Sequence, residues 1–137
     1  PHAYLEGQNI ELMSNSDNVL RAGLTPKYID IPELLANTNF VPTIPQIIDG
    51  NLEENNQIYA CPVPDFILYA NFMKAGSNEE IKIDKPAIIL VMSGNSVWTS
   101  NNILNTKGTD SFFVASGKTI QFEAVSDTMY FLATVPA

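Results

Sequence analysis

The stretch SFFVASGKTIQFEA, residues 111–124, decides the fold. Two runs rich in aromatic and β-branched residues flank Ser116-Gly117-Lys118, whose composition suits a sharp turn between strands. Beyond the turn, Ile120, Phe122 and Ala124 fall on one face and Gln121 and Glu123 on the other, the period of two expected of a strand with one buried side. The pattern repeats in both directions. FILYANFM (66–73) reads as a strand of high apolar content, EIKID (80–84) alternates Ile81 and Ile83 against Lys82 and Asp84, and PAIILVM (86–92) reads as a strand buried on both faces. Ser93-Gly94-Asn95 turns the chain, SVWTS and NILNT form a hairpin across Asn101-Asn102, and Lys107-Gly108 turns it again. TMYFLATV (128–135) closes the series. About eight short strands, divided by Gly, Asn and Asp turns, predict a mainly antiparallel sandwich or jelly roll.

The first part of the chain has another character. In AYLEGQNIELM (3–13), Glu6-Gly7-Gln8-Asn9 reads as a turn between extended pieces. SNSDNVLRAGL (14–24) predicts a short helical turn, capped by Ser16 or Asp17 and stopped at Gly23, and DIPELLANT (30–38) a second one capped by Asp30. VPTIPQIIDGN (41–51) carries too much proline for a central strand and reads as an edge or a connection. The expected organisation is therefore a segment 1–38 with two small helices, followed by a β domain over 39–137.

Composition limits the function classes. The 137 residues hold 7 Lys plus Arg against 15 Asp plus Glu, a net charge of −8 that repels phosphodiester backbones and argues against nucleic acid as a partner. No apolar run approaches the roughly 20 residues of a membrane-spanning helix. The lone Cys61 cannot form an intrachain disulfide and reads as a buried structural thiol, which fits a reducing, cytoplasmic setting. A chain that begins PHAYL without an initiator Met reads as a cut end of something longer.

The 111–124 unit resembles the second conserved motif of cupins, a double-stranded β-helix family in which a glycine, a proline-x-glycine and a histidine lie along two strands. With Gly117 on the last glycine, Thr109, Ala115 and Ile120 stand where glycine, proline and the metal-binding histidine would be. The resemblance implies a cupin-like jelly roll whose interior is packed core, because metal needs converging imidazole or carboxylate donors and residues 40–137 contain no histidine.

PHAYLEGQNIELMSNSDNVLRAGLTPKY, residues 1–28, resembles the signature region of type I phosphomannose isomerases, zinc-dependent enzymes that interconvert mannose 6-phosphate and fructose 6-phosphate through an enediolate. The resemblance implies that 1–38 is the end of a catalytic jelly roll and 39–137 a C-terminal one without metal ligands. It implies His2 as a zinc ligand, Arg21 as a catalytic residue with Asp17 as a proton shuttle, and Tyr4, Glu11 and Lys27 as substrate-pocket residues. Zinc polarises a carbonyl, and a guanidinium presents a planar fork to phosphate or enediolate oxygens. The other zinc ligands of the family lie upstream of this segment, so the isolated chain is expected to be inactive. Read without the resemblance, Asp17 serves equally as a helix cap, Glu11 as a strand-end carboxylate, and the whole as a non-catalytic jelly roll that binds a carbohydrate or a partner subunit.

Overall fold

The computed structural model describes residues 4–15, 19–23, 25–53 and 55–136. Contacts divide the chain into two units, Pro1–Gln46 and Ile47–Ala137.

In the first unit the helix after Asp30 forms as α1, Ile31–Asn37. The Asp30 carboxylate accepts the Glu33 N–H at 3.1 Å, Pro32 sits in the first turn, and Thr38 closes the helix on the Leu34 carbonyl. The earlier helix expected across 16–23 does not continue through residues 19–23, which carry no helix; residues 16–18 lie outside those described. A single turn that ends at Gly23, φ +73°, has no room to propagate, and Val19 and Leu20 are exposed, so no packing offsets the nucleation cost.

The second unit is a two-sheet sandwich. Its strands are β1 (Asn51–Glu53), β2 (Asn56–Tyr59), β3 (Ile67–Met73), β4 (Asn78–Ile83), β5 (Ala87–Ser93), β6 (Asn95–Thr99), β7 (Ile103–Lys107), β8 (Ser111–Val114), β9 (Lys118–Ala124) and β10 (Thr128–Thr134). One sheet has the order β1-β2-β3-β10-β5-β8 and the other β4-β9-β6-β7, with antiparallel pairing throughout. From β3 onward the chain changes sheet at nearly every step, remaining in one only for the β6–β7 hairpin, where Val97 faces Asn105. This is a jelly roll, as the strand pattern predicted. Residues 41–50 form no strand, in keeping with their reading as a connection.

Alternation places the core. Ile83, Ile89, Val91, Ile120, Phe122, Tyr130 and Leu132 meet between the sheets around Trp98. The expectation that β5 is buried on both faces fails: Ala87, Ile89 and Val91 are buried, whereas Ile88 is 56% exposed and Leu90 and Met92 are half-buried. β5 lies between β10 and β8, but the opposing sheet covers only one side of it. Cys61 is a free, half-buried thiol rather than a buried one.

Two turns show why residue choice matters. Gly94, φ +87°, joins β5 to β6, and a Cβ there would lie 2.7 Å from the Thr128 Cα. Thr109 also takes positive φ, +77°, without being glycine. It stands where the cupin motif carries its first glycine, which gives that glycine a backbone reason.

Candidate functional site

Two regions bear on function, one in each unit. In the first, the Tyr4 hydroxyl donates to Glu11 Oε1 at 3.1 Å across the bend at Glu6 and Gly7. Gly7 has φ +111°, a conformation that suits the glycine placed in this turn. The Glu11 carboxylate raises the phenol above its ordinary range, chiefly through the hydrogen bond, so Tyr4 remains protonated and orients the carboxylate. Two of the expected pocket residues are thus brought together. Arg21 and Lys27 are exposed, and neither side chain forms an ion pair with a described residue. The Lys27 backbone N–H is held by Thr25 Oγ1 at 3.2 Å, which shapes the loop through Pro26. His2 and Asp17 lie outside the described residues.

The second region is the jelly-roll interior, where a cupin would hold metal. Ile120, at the position of the motif histidine, is 4% exposed and packed in the core. Trp98 fills the centre: its ring meets Phe122 at 4.5 Å, Tyr130 at 5.0 Å and Phe112 at 5.1 Å between centroids. Its indole N–H reaches Ser96 Oγ at 2.9 Å and Thr106 Oγ1 at 3.0 Å, and those hydroxyls lie 2.8 Å apart, so this buried polar trio is satisfied within the protein. Among the described residues no group of three His, Cys, Asp or Glu side chains is placed to hold a metal ion. The donor set of this interior does not fit zinc.

Beside the packed centre a cleft of about 310 Å³ remains, lined by residues from β2, β3, β4, β5 and β10. Asn56, Asn71 and Tyr130 lie in one cross-strand row, since Asn71 pairs with Asn56 on one side and Tyr130 on the other. Glu79, on β4 of the other sheet, accepts a long 3.5 Å hydrogen bond from the Tyr130 hydroxyl. Burial, with Glu79 beside it, pushes the Tyr130 phenol far above its ordinary range and keeps it a donor; partial burial likewise raises the Glu79 carboxyl, which the Tyr130 hydrogen bond only partly offsets. None of these residues stood out in the sequence. β2 is four residues of NQIY with no strong strand signal, and the polar row exists only through long-range pairing.

No protein-family model matches the chain. A cupin superfamily protein from Desulfitobacterium hafniense superposes with a TM-score of 0.53 at 13% identity, covering 64% of this chain and 83% of that one. The jelly roll therefore has a cupin-like fold. The particular relationship is closer: over most of its length the chain is a relative of the mannose-6-phosphate isomerases. It is 39% identical over 123 residues to the mannose-6-phosphate isomerase of Escherichia coli, 86% of this chain and 31% of that enzyme. A mutant phosphomannose isomerase from Salmonella typhimurium superposes with a TM-score of 0.73 at 29% identity, covering 88% of this chain and 31% of that one. The chain thus spans about a third of the length of these relatives.

Proposed function

We propose that the chain is the C-terminal portion of a cytoplasmic, zinc-dependent mannose-6-phosphate isomerase, acting on a sugar phosphate and not on nucleic acid or membranes. The observation that supports this reading is 39% identity to such an isomerase over 86% of the chain, and the structural match at TM-score 0.73 agrees with it. Residues 1–38 would close a catalytic jelly roll, and the domain over 39–137 would accompany it without metal.

The reaction moves a proton between two neighbouring carbons of the sugar phosphate through an enediolate. Arg21 presents a planar, permanently charged fork to the oxygens on which charge develops, and Asp17 carries the proton between the carbons. Lys27 adds a point charge that attracts the phosphate. The Tyr4 hydroxyl holds the Glu11 carboxylate in one orientation, ready to accept a sugar hydroxyl. Zinc, when bound, polarises the sugar carbonyl. His2 is the one imidazole this chain contributes, and the described residues add no cluster that completes a site. The isolated 137-residue chain should therefore hold no stoichiometric zinc and show no isomerase turnover.

Elemental analysis and a coupled isomerase assay on the purified chain test this directly. In a longer isomerase polypeptide that includes this sequence, replacing His2 should remove zinc. Turnover by the isolated chain that tracks its zinc content would overturn the division of labour proposed here.

A further inference from the structure

The cleft between β4 and the β2-β3-β10 row has properties that a packed core does not explain. Asn56 Oδ1 is buried and has no hydrogen-bond partner among the described residues. Such an atom is costly in a dry site, and native proteins rarely leave one without a protein, water or ligand donor. Asn71, 7% exposed, lies beside it in the same row, its side chain lining the same cleft. The volume, about 310 Å³, is near the lower end of the range for small-molecule sites, about 300–1,000 Å³, and far above the ~30 Å³ share of one water.

The wall chemistry narrows the occupant. Asn56 Oδ1 and the Glu79 carboxylate are acceptors, the Asn71 amide offers both a donor and an acceptor, and the Tyr69 ring supplies an apolar wall. The lining carries two lysines, Lys82 and Lys85, against two carboxylates, Glu79 and Asp84, so it favours neither a cation nor an anion. Hydroxyl groups, each at once donor and acceptor, match this lining.

We propose that the cleft binds a small, uncharged, polyhydroxylated molecule, a free sugar or polyol, whose hydroxyls donate to Asn56 Oδ1 and the Glu79 carboxylate and accept from the Asn71 amide. The site belongs to the jelly roll alone, so it stands whether or not the isomerase reading does.

The test is a titration of the full 137-residue chain, labelled with nitrogen-15, by D-mannitol and methyl α-D-glucopyranoside, with glucosamine and glucose 6-phosphate as charged arms. The neutral probes should saturably shift the side-chain amide resonances of Asn56 and Asn71. Glu79→Gln, at an exposed edge strand, should weaken that binding about tenfold, the usual loss for a hydrogen bond to a charged group. Asn56→Leu should abolish it, and thermal melts establish that each variant is folded; if Asn56→Leu unfolds, Glu79→Gln alone decides. No saturable shift with either neutral probe, tighter binding of a charged one, or affinity unchanged in Glu79→Gln would overturn the proposal.

Discussion

Up to residue 46 no described residue is buried, and Leu5 and Ile44 are each 92% exposed; in the jelly roll, Ile89 and Val91 are wholly buried. Burial of apolar surface is the dominant force that offsets chain entropy, so the second unit supplies the stability. The residues marked by the isomerase resemblance, Tyr4, Glu11, Arg21 and Lys27, lie in the first, where Arg21 and Lys27 are exposed loop cations. Within this chain, substitutions at exposed residues of the first unit should therefore leave the stability of the jelly roll alone, and those in the jelly-roll core should lower it.

The largest effect is expected in the first unit. In a longer isomerase polypeptide containing this sequence, Arg21→Ala should lower turnover roughly 10²–10³-fold with little change in KM, as loss of a transition-state donor does. Lys27→Ala should raise KM more than it lowers turnover, because a point charge attracts the phosphate equally before and during reaction. Neither should change the zinc content, because neither residue is proposed as a ligand. Near-normal turnover in folded, zinc-loaded Arg21→Ala would leave that arginine a solvated bystander and break the comparison.

The second half is tested by Trp98→Ala, which should cost about 3–5 kcal/mol, the usual penalty for removing a buried aromatic ring. Trp98 is 2% exposed and touches Phe112, Phe122 and Tyr130. Urea denaturation gives the value; a loss under about 1 kcal/mol would show that the centre is not where stability resides.

How much of this was legible follows from what a linear pattern encodes. Alternation along residues 118–124 and turn residues at Gly94 and Gly117 depend on near neighbours, so β3 to β10 could be read from the sequence. The short strands β1 and β2 could not, because they lack β-branched and aromatic alternation and are strands only through pairing with each other and with β3. The exposed side of β5 was misread for a related reason: a run of AIILV states hydrophobicity, not which face another sheet covers. For the first unit, the expected site residues came from family resemblance. The structure adds the Tyr4–Glu11 hydrogen bond, while His2 and Asp17 fall outside the described residues. The cleft row Asn56-Asn71-Tyr130 spans residues far apart in sequence and carries no local signature.

A smaller effect sharpens the comparison inside the jelly roll. Thr109 holds φ +77°, which costs an L-residue with a Cβ roughly 1–2 kcal/mol, whereas glycine adopts it freely. Thr109→Gly should relieve that strain and return part of it to unfolded-chain entropy, for a net gain of about 0.5–1 kcal/mol. The Thr109 N–H bond to the Val91 carbonyl, 2.7 Å, is a backbone contact and should persist. A variant less stable than the parent in urea would show that the threonine side chain contributes something that its backbone conformation hides.

The smallest effect concerns two carboxyls of opposite behaviour. Partial burial raises the Glu79 pKa in the folded state above its ordinary value of 4.5, with the Tyr130 hydrogen bond pulling weakly the other way. A raised folded pKa means that the folded protein holds the proton more tightly than the unfolded chain, so this group favours folding in acid and its contribution is lost as pH rises through the folded pKa. Asp127 runs the other way: the Lys74 ammonium, 2.7 Å from its carboxylate, and the Ala75 N–H lower its pKa, so its contribution is present above the unfolded pKa and lost on acidification. Glu79→Gln should therefore be more stable than the parent near neutral pH, with the difference shrinking below about pH 4, where the parent carboxyl is protonated in both states. Asp127→Asn should be less stable than the parent near neutral pH and approach it in acid. Both groups are exposed, so both effects are small and need urea midpoints measured at low salt. If Glu79→Gln is instead less stable than the parent near neutral pH, the Tyr130 hydrogen bond outweighs the burial of the carboxylate.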